Sequence, residues 1–233
     1  MQCAILAGGL GTRIRSVAGD LPKSLIPVHG KPFIHYQLDW LKRSDVQDVL
    51  LCIGYQGHLI RDVVGKGKAW NLNVSYLDER DQLRGTGGAL RLAAEQKLLQ
   101  PTYFLMYGDS FLPIDFQAIW NFFQKRPEPA LMTIVRNQGQ WDVSNASFDG
   151  THVHYNKKKA GAPGMDFIDY GLSLLRNDSI VEKIPAGVRY DLADYFADLS
   201  RQNTLAGYEI KDRFYEIGSP QGLADFKTFS TPK

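Results

Sequence analysis

Leu6-Ala7-Gly8-Gly9-Leu10-Gly11-Thr12-Arg13, followed shortly by Pro22-Lys23-Ser24-Leu25, is the stretch on which the fold turns. It comes directly after the apolar run Cys3–Leu6, so a buried strand ends in a loop with three glycines. Glycine lets backbone approach a ligand closely and adopts positive φ at no steric cost. Successive backbone N–H groups in such a loop form a concave anion site. Arg13 and Lys23 add two fixed positive charges, and the combination suits a bound polyphosphate. Two other glycine loops are excluded. The dinucleotide fingerprint needs a third glycine where Ile14 stands, and no Walker string G-x-x-x-x-G-K-[ST] exists in the chain.

Working outward, strand and helix signals alternate. Phe33 to Arg43 reads as a helix, with Phe33, Ile34, Leu38 and Leu41 at helical spacing and Pro32 near its start. Asp48–Tyr55 is a continuous apolar run of the kind covered on both faces in a parallel sheet. A short helix at Leu59–Val64, a strand at Val74–Leu77, a helix at Gly87–Leu99 and a strand at Tyr103–Tyr107 follow. A helix at Ile114–Lys125 and a strand at Ala130–Val135 complete the alternation. This rhythm predicts an α/β fold, a doubly wound, mainly parallel sheet with right-handed crossovers. The second half changes character. Ser144–Phe148 and His152–Tyr155 flank the hairpin signal Asp149-Gly150. Lys157–Gly164 is a loop, Ile168–Leu175 a strand and Leu192–Gln202 a helix. Strands at Leu205–Ile210 and Phe214–Ile217 precede a terminal helix opened by Ser219-Pro220.

The 233 residues, 44% of them hydrophobic, suffice for one α/β domain. A net charge of +2 from 27 basic and 25 acidic residues, mixed along the chain, gives no footprint for nucleic acid or a membrane surface. Cys3 and Cys52 lie in apolar runs and read as buried thiols of a reducing compartment. No signal peptide and no run of transmembrane length is readable, so a cytoplasmic protein is expected.

The glycine loop with Arg13 and Pro22-Lys23 resembles the signature of the sugar-1-phosphate nucleotidyltransferases. Gly108-Asp109 at the end of Tyr103–Tyr107 and Gly85-Thr86-Gly87-Gly88-Ala89 resemble two further motifs of that family. The resemblance spans nearly the whole chain and implies the Rossmann-like nucleotidyltransferase fold with a mixed sheet and no β-helix tail. A single domain is expected, with residues 1–136 as its nucleotide part and 137–233 as its sugar-phosphate part. Short length, Ser144-Asn145 and Asp169-Tyr170-Gly171 look most like the heptose 1-phosphate guanylyltransferase branch.

The resemblance also implies a site. Leu6, Ala7, Gly8, Gly9, Gly11, Thr12, Arg13, Gly85, Thr86, Gly87 and Gly108 are expected to bind nucleotide. Asp109 and Glu216 are expected to hold Mg²⁺, with Glu216 standing where the family usually has aspartate. Lys157 is expected to meet the sugar phosphate, and Asn145, Asp169 and Gly171 the sugar; Asp169 replaces the usual asparagine of Asn-x-Gly. Arg13 and Lys23 are the catalytic pair. The expected substrates are a nucleoside triphosphate, GTP first, and a heptose or hexose 1-phosphate, in a monomer or homodimer. Three rivals remain open: a nucleotide-sugar-binding regulatory protein, a nicotinamide dehydrogenase, and a nucleotidyltransferase for another phosphate such as phosphocholine. His152 and His154 read as a surface pair, since no third metal ligand of suitable spacing accompanies them.

Overall fold

The computed structural model describes residues 1–9, 14, 19–79 and 82–231. Along these the chain runs β1 (Gln2–Leu6), β2 (Pro27–Val28), β3 (Lys31–Pro32), α1 (Phe33–Arg43), β4 (Asp48–Ile53), α2 (Gly57–Val64) and β5 (Asn73–Asp78). It continues through α3 (Gly85–Glu95), β6 (Thr102–Tyr107), β7 (Ser110–Phe111), α4 (Phe116–Gln124), β8 (Ala130–Arg136), β9 (Ala146–Phe148) and β10 (Val153–Tyr155). The last elements are β11 (Phe167–Arg176), α5 (Asn177–Lys183), α6 (Leu192–Arg201), β12 (Leu205–Ile210), β13 (Tyr215–Glu216) and α7 (Pro220–Phe229). The class is the expected one, α/β with a mixed and mainly parallel sheet. Elements outside the expectation include α5, the two-residue strand β7, and the small β2–β3 hairpin turned by His29-Gly30, both at positive φ.

The chain forms two compact units. The first holds residues 1–83, 106–113 and 214–233; the second holds 84–105 and 114–213. In the first unit β1, β4 and β5 lie side by side in parallel register, Leu6 opposite Cys52 and Cys52 opposite Leu77. Val49 to Ile53 are all buried, as a strand covered on both faces requires. Helix α1 turns Phe33, Ile34, Gln37, Leu38 and Leu41 inward. Its N-terminal end joins a core of Ile14, Ile26, Val28, Phe111, Ile217, Leu223 and Phe226. Ile14, the residue that breaks the dinucleotide fingerprint, is thus a fully buried core residue. Both cysteines are buried and free, and burial pushes their thiols well above the ordinary range.

In the second unit β8 pairs antiparallel with β11 and parallel with β12, and β11 continues through β9 to β10. The Asp149-Gly150 turn forms as expected. Asp149 accepts the N–H groups of Thr151 and His152 at 2.8 and 2.7 Å, and Gly150 takes φ of 96°. β11 is irregular between Asp169 and Ser173, where Gly171 also has φ of 96°. No helix among the described residues is long and apolar enough to cross a membrane.

Candidate active site

The first unit holds the described start of the glycine loop, Gly8-Gly9, and the carboxylates Asp109 and Glu216. Ala7 leaves β1 with its N–H on Cys52 O at 2.8 Å, and Gly108 leaves β6 with its N–H on Leu6 O at 2.9 Å. A side chain on Gly108 would stand 2.9 Å from Ala7 Cβ and 3.1 Å from Leu6 O, so only glycine lets these two strand ends lie together. The ends of parallel strands in open sheets are where ligands bind. No described atom lies within 4 Å of the Cβ position of Gly9. Gly11, Thr12 and Arg13 lie outside the described residues, with Leu10.

Asp109 follows Gly108 and leads into β7, which pairs antiparallel with β13, Ser110 opposite Glu216. Ile217 N–H donates to Asp109 O at 2.9 Å. One small ribbon therefore carries both candidate metal carboxylates. Lys23 comes from a 3₁₀ turn, Lys23–Leu25, held by Leu25 N–H on Pro22 O. Its Nζ lies 2.9 Å from Asp109 Oδ2, in a pair whose side chains are 18% and 24% exposed. All three groups converge over Gly218. A Cβ there would stand 2.8 Å from Glu216 Oε2, 3.0 Å from Asp109 Oδ2 and 3.3 Å from Lys23 Nζ.

That cradle fits Mg²⁺. The ion takes one or two carboxylates and fills its remaining positions with phosphate oxygens and water. Among the described residues no group of three or more His, Cys, Asp and Glu side chains is placed to hold a metal. Glutamate 216 is longer than the expected aspartate, and its carboxylate folds back, accepting from Gly218 N–H and the Ser219 hydroxyl. Ser219 in turn caps α7 by accepting from Gly222 N–H at 3.0 Å. Gly222 makes room for the longer arm: a Cβ on it would run into the Glu216 carboxylate, 2.6 Å from Cδ.

Two residues here carry no motif. Glu79, just after β5, is buried and brings Oε2 to 3.5 Å from the Cβ position of Gly8. Gln37 binds the backbone on both sides of Asp109, as described below.

The second unit holds the remaining expected residues. Asn145 Oδ1 accepts Asp169 N–H at 3.0 Å, and Asp169 Oδ1 accepts Gly171 N–H at 2.9 Å. Lys157 acts on the same carboxylate through its charge. Burial raises the Asp169 carboxyl from its ordinary 3.8 to about 6, against the lowering effects of the Gly171 N–H and Lys157. Asn145, Lys157, Asp169 and Gly171 thus form one group. An acid whose folded pKa lies above its unfolded value adds stability that is complete below about pH 4 and lost as pH rises through about 6. Asp169→Asn is therefore expected to raise the unfolding free energy at pH 8 by on the order of 1–3 kcal/mol relative to its effect at pH 4. Urea melts at the two pH values measure this; an equal effect at both would contradict it.

Gly85, Thr86, Gly87 and Gly88 pack against the segment around Tyr190. Tyr190 O accepts the N–H groups of Gly87 and Gly88, and Tyr190 N–H donates to Arg84 O. Thr86 Oγ1 donates to Asp191 at 3.1 Å and accepts Leu192 N–H at 2.9 Å. A Cβ on Gly85, whose φ is 75°, would stand 2.7 Å from Tyr190 O; one on Gly87 would meet the Tyr190 ring at 2.9 Å. These glycines are small because the segment after Val188 lies on them. Gly85→Ala is expected to destabilise the protein by about 1–3 kcal/mol, from positive φ and overpacking together. A urea midpoint unchanged from wild type would reject that packing role.

His152 and His154 bind different carboxylates, Glu128 at 3.2 Å and Asp149 at 3.3 Å, and form no joint site. Of the lysine run, Lys158 pairs with Asp194 at 2.7 Å on the surface.

A glycine turn beside a lysine and paired carboxylates answers the two demands of nucleoside triphosphate chemistry, anion capture and divalent-cation binding, so the class is that of a nucleotide-handling enzyme. The chain belongs to the nucleotidyl transferase family, whose model matches residues 3–142. It is 25% identical over 229 residues to a D-glycero-alpha-D-manno-heptose 1-phosphate guanylyltransferase of Campylobacter jejuni, covering 97% of this chain and 98% of that one. A protein of the same description from Aneurinibacillus thermoaerophilus is 33% identical over 120 residues, 52% of this chain and 51% of that one. The fold is shared with the crystal structure of HddC from Yersinia pseudotuberculosis complexed with GMP-PN. That match has a TM-score of 0.79 and 24% identity, over 98% of both chains.

Proposed function

We propose that the protein transfers a nucleoside monophosphate from a nucleoside triphosphate to a sugar 1-phosphate, with GTP and a heptose or hexose 1-phosphate as its substrates. The observation that carries this is the meeting of Lys23, Asp109 and Glu216 over Gly218 beside the turn at Gly8-Gly9. The choice of GTP and heptose follows the full-length relative from Campylobacter jejuni.

A sugar 1-phosphate has a second pKa of about 6 and is largely dianionic at neutral pH. It needs no base to become a nucleophile. Its phosphate oxygen attacks the α-phosphorus in line, the bond from that phosphorus to the bridging oxygen breaks, and pyrophosphate leaves with the electron pair. The protein's contribution is position and charge. Asp109 and Glu216 would hold Mg²⁺, which when bound neutralises phosphate charge. The N–H groups of the Gly8-Gly9 turn receive phosphate oxygens. Lys23 bridges phosphates in the transition state, and Arg13 is assigned to the leaving β- and γ-phosphates. In the second unit Lys157 is assigned to the sugar phosphate, with Asn145 and Asp169 on sugar hydroxyls.

The test is pyrophosphate release with Mg²⁺, measured for four nucleoside triphosphates against heptose, hexose and amino-sugar 1-phosphates and phosphocholine. Turnover with GTP and a heptose or hexose 1-phosphate is expected. Binding of GTP without release from any pair would favour the regulatory reading, for which the engaged oxygens of Glu216 are the motive. Release with phosphocholine alone would replace the acceptor class.

A further inference from the structure

Helix α1 sends one amide into an otherwise apolar stripe. Gln37 stands one turn from Phe33 and one from Leu41, all three buried, and is itself 1% exposed. Its Nε2 donates to Tyr107 O at 2.9 Å and to Ser110 O at 2.8 Å. These two carbonyls bracket Gly108-Asp109. An amide nitrogen has two N–H groups, so a single side chain can hold both sides of the corner at once. Gln37 Oε1 has no hydrogen-bond partner among the described residues. A buried unpaired acceptor is costly, so the two donated bonds are what this side chain contributes.

The corner they hold is the one that matters for charge. Ser110 pairs with Glu216 across the ribbon, and Asp109 reaches Lys23. The 3₁₀ turn that carries Lys23 closes through Ile26 N–H on Lys23 O, and Ile26 O then accepts the N–H of Phe33, the first residue of α1. One helix therefore fixes the position of Asp109 by hydrogen bonds and is tied through Phe33 N–H and Ile26 O to the segment that carries Lys23.

We propose that Gln37 is a positioning residue for the reaction, setting the Gly108-Asp109 corner so that the Asp109 carboxylate meets Glu216 over Gly218. The proposal rests on reading Asp109 as a metal ligand. Its test uses Mn²⁺ alone, followed by electron paramagnetic resonance or calorimetry, on the whole chain. Gln37→Met keeps length and approximate volume and removes both donors. Mn²⁺ affinity is expected to fall about 10-fold and kcat by a similar factor, in the range seen for groups that orient metal ligands. KM for the nucleotide stays within about twofold, because uniform binding is untouched. In an Asp109→Asn background the same substitution is expected to change Mn²⁺ affinity by less than about twofold, since coupled residues are non-additive. Gln37→Glu, whose buried protonated acid keeps one donor, should fall between, and it carries the test if the methionine variant does not fold.

Folded Gln37→Met with wild-type Mn²⁺ affinity overturns the proposal, as does an equal loss in both backgrounds. Failure of both Gln37 variants to fold overturns it too, by making the residue structural. If Asp109→Asn itself leaves Mn²⁺ binding intact, the metal reading has failed and not the positioning alone.

Discussion

Lys23→Met is expected to lower kcat by roughly 10³-fold while leaving KM for the nucleotide within a few-fold, and to tighten the binding of Mn²⁺ alone. The first effect follows from the role of a preorganised cation, worth about 10²–10³ in rate when it acts on charge that develops only in the transition state. A group that bound ground state and transition state equally would raise KM and spare kcat. The second effect follows from the 2.9 Å pair with Asp109. One lysine and two carboxylates meet over Gly218, a formal charge of −1; without the ammonium it becomes −2, and Asp109 no longer shares its Oδ2 with a resident cation. Methionine fills the lysine stem's space, and the position is largely covered, so the fold should survive. Steady-state kinetics and a Mn²⁺ titration check both halves. Equal losses in kcat and nucleotide affinity would reject the transition-state role, and weaker Mn²⁺ binding would reject the competition.

Lys23, Asp109 and Glu216 were legible in the sequence because each sits in a local pattern at the end of a strand or turn. What brings them together is not local: β7 and β13, two residues each, pair from distant parts of the chain with Ser110 opposite Glu216, and Gly108 and Gly218 are the small residues that close approach requires. Gln37 was not legible. It lies on the same helical stripe as Phe33, Ile34, Leu38 and Leu41, but its meaning depends on carbonyls 70 and 73 positions away. The glycines at 85, 87 and 88 were visible, and the chain that packs on them was not. They are small because residues about a hundred positions later lie on them, a tertiary fact with no local signature. The same limit explains the unit boundary. Contacts alone return residues 106–113 and 214–233 to the first unit. Helix α5 has seven residues, too few for a helical period to stand out.

Asp109→Asn should produce the opposite pattern to Lys23→Met in metal binding and an equal or larger loss in rate. Asparagine keeps the shape and can still turn the Gly108 corner, whose backbone bonds to Leu6 and Ile217 do not involve the side chain. The formal charge over Gly218 rises from −1 to 0, leaving the Lys23 ammonium beside a neutral amide. At about 4 Å and an effective dielectric of about 20, a unit charge acts on its neighbour with about 4 kcal/mol before salt screening, so loss of one carboxylate is a large change for a dication. Mn²⁺ affinity is expected to fall at least about 100-fold and kcat by roughly 10³-fold or more, since an ion held by Asp109 would supply charge neutralisation to the phosphates. The double variant Lys23→Met/Asp109→Asn restores the formal charge to −1. If charge governs the site, it should bind Mn²⁺ more tightly than Asp109→Asn alone while turning over no faster. If Asp109 instead serves only to hold Lys23, the double variant should be no worse in rate than Lys23→Met and Mn²⁺ affinity should be the same in all four proteins.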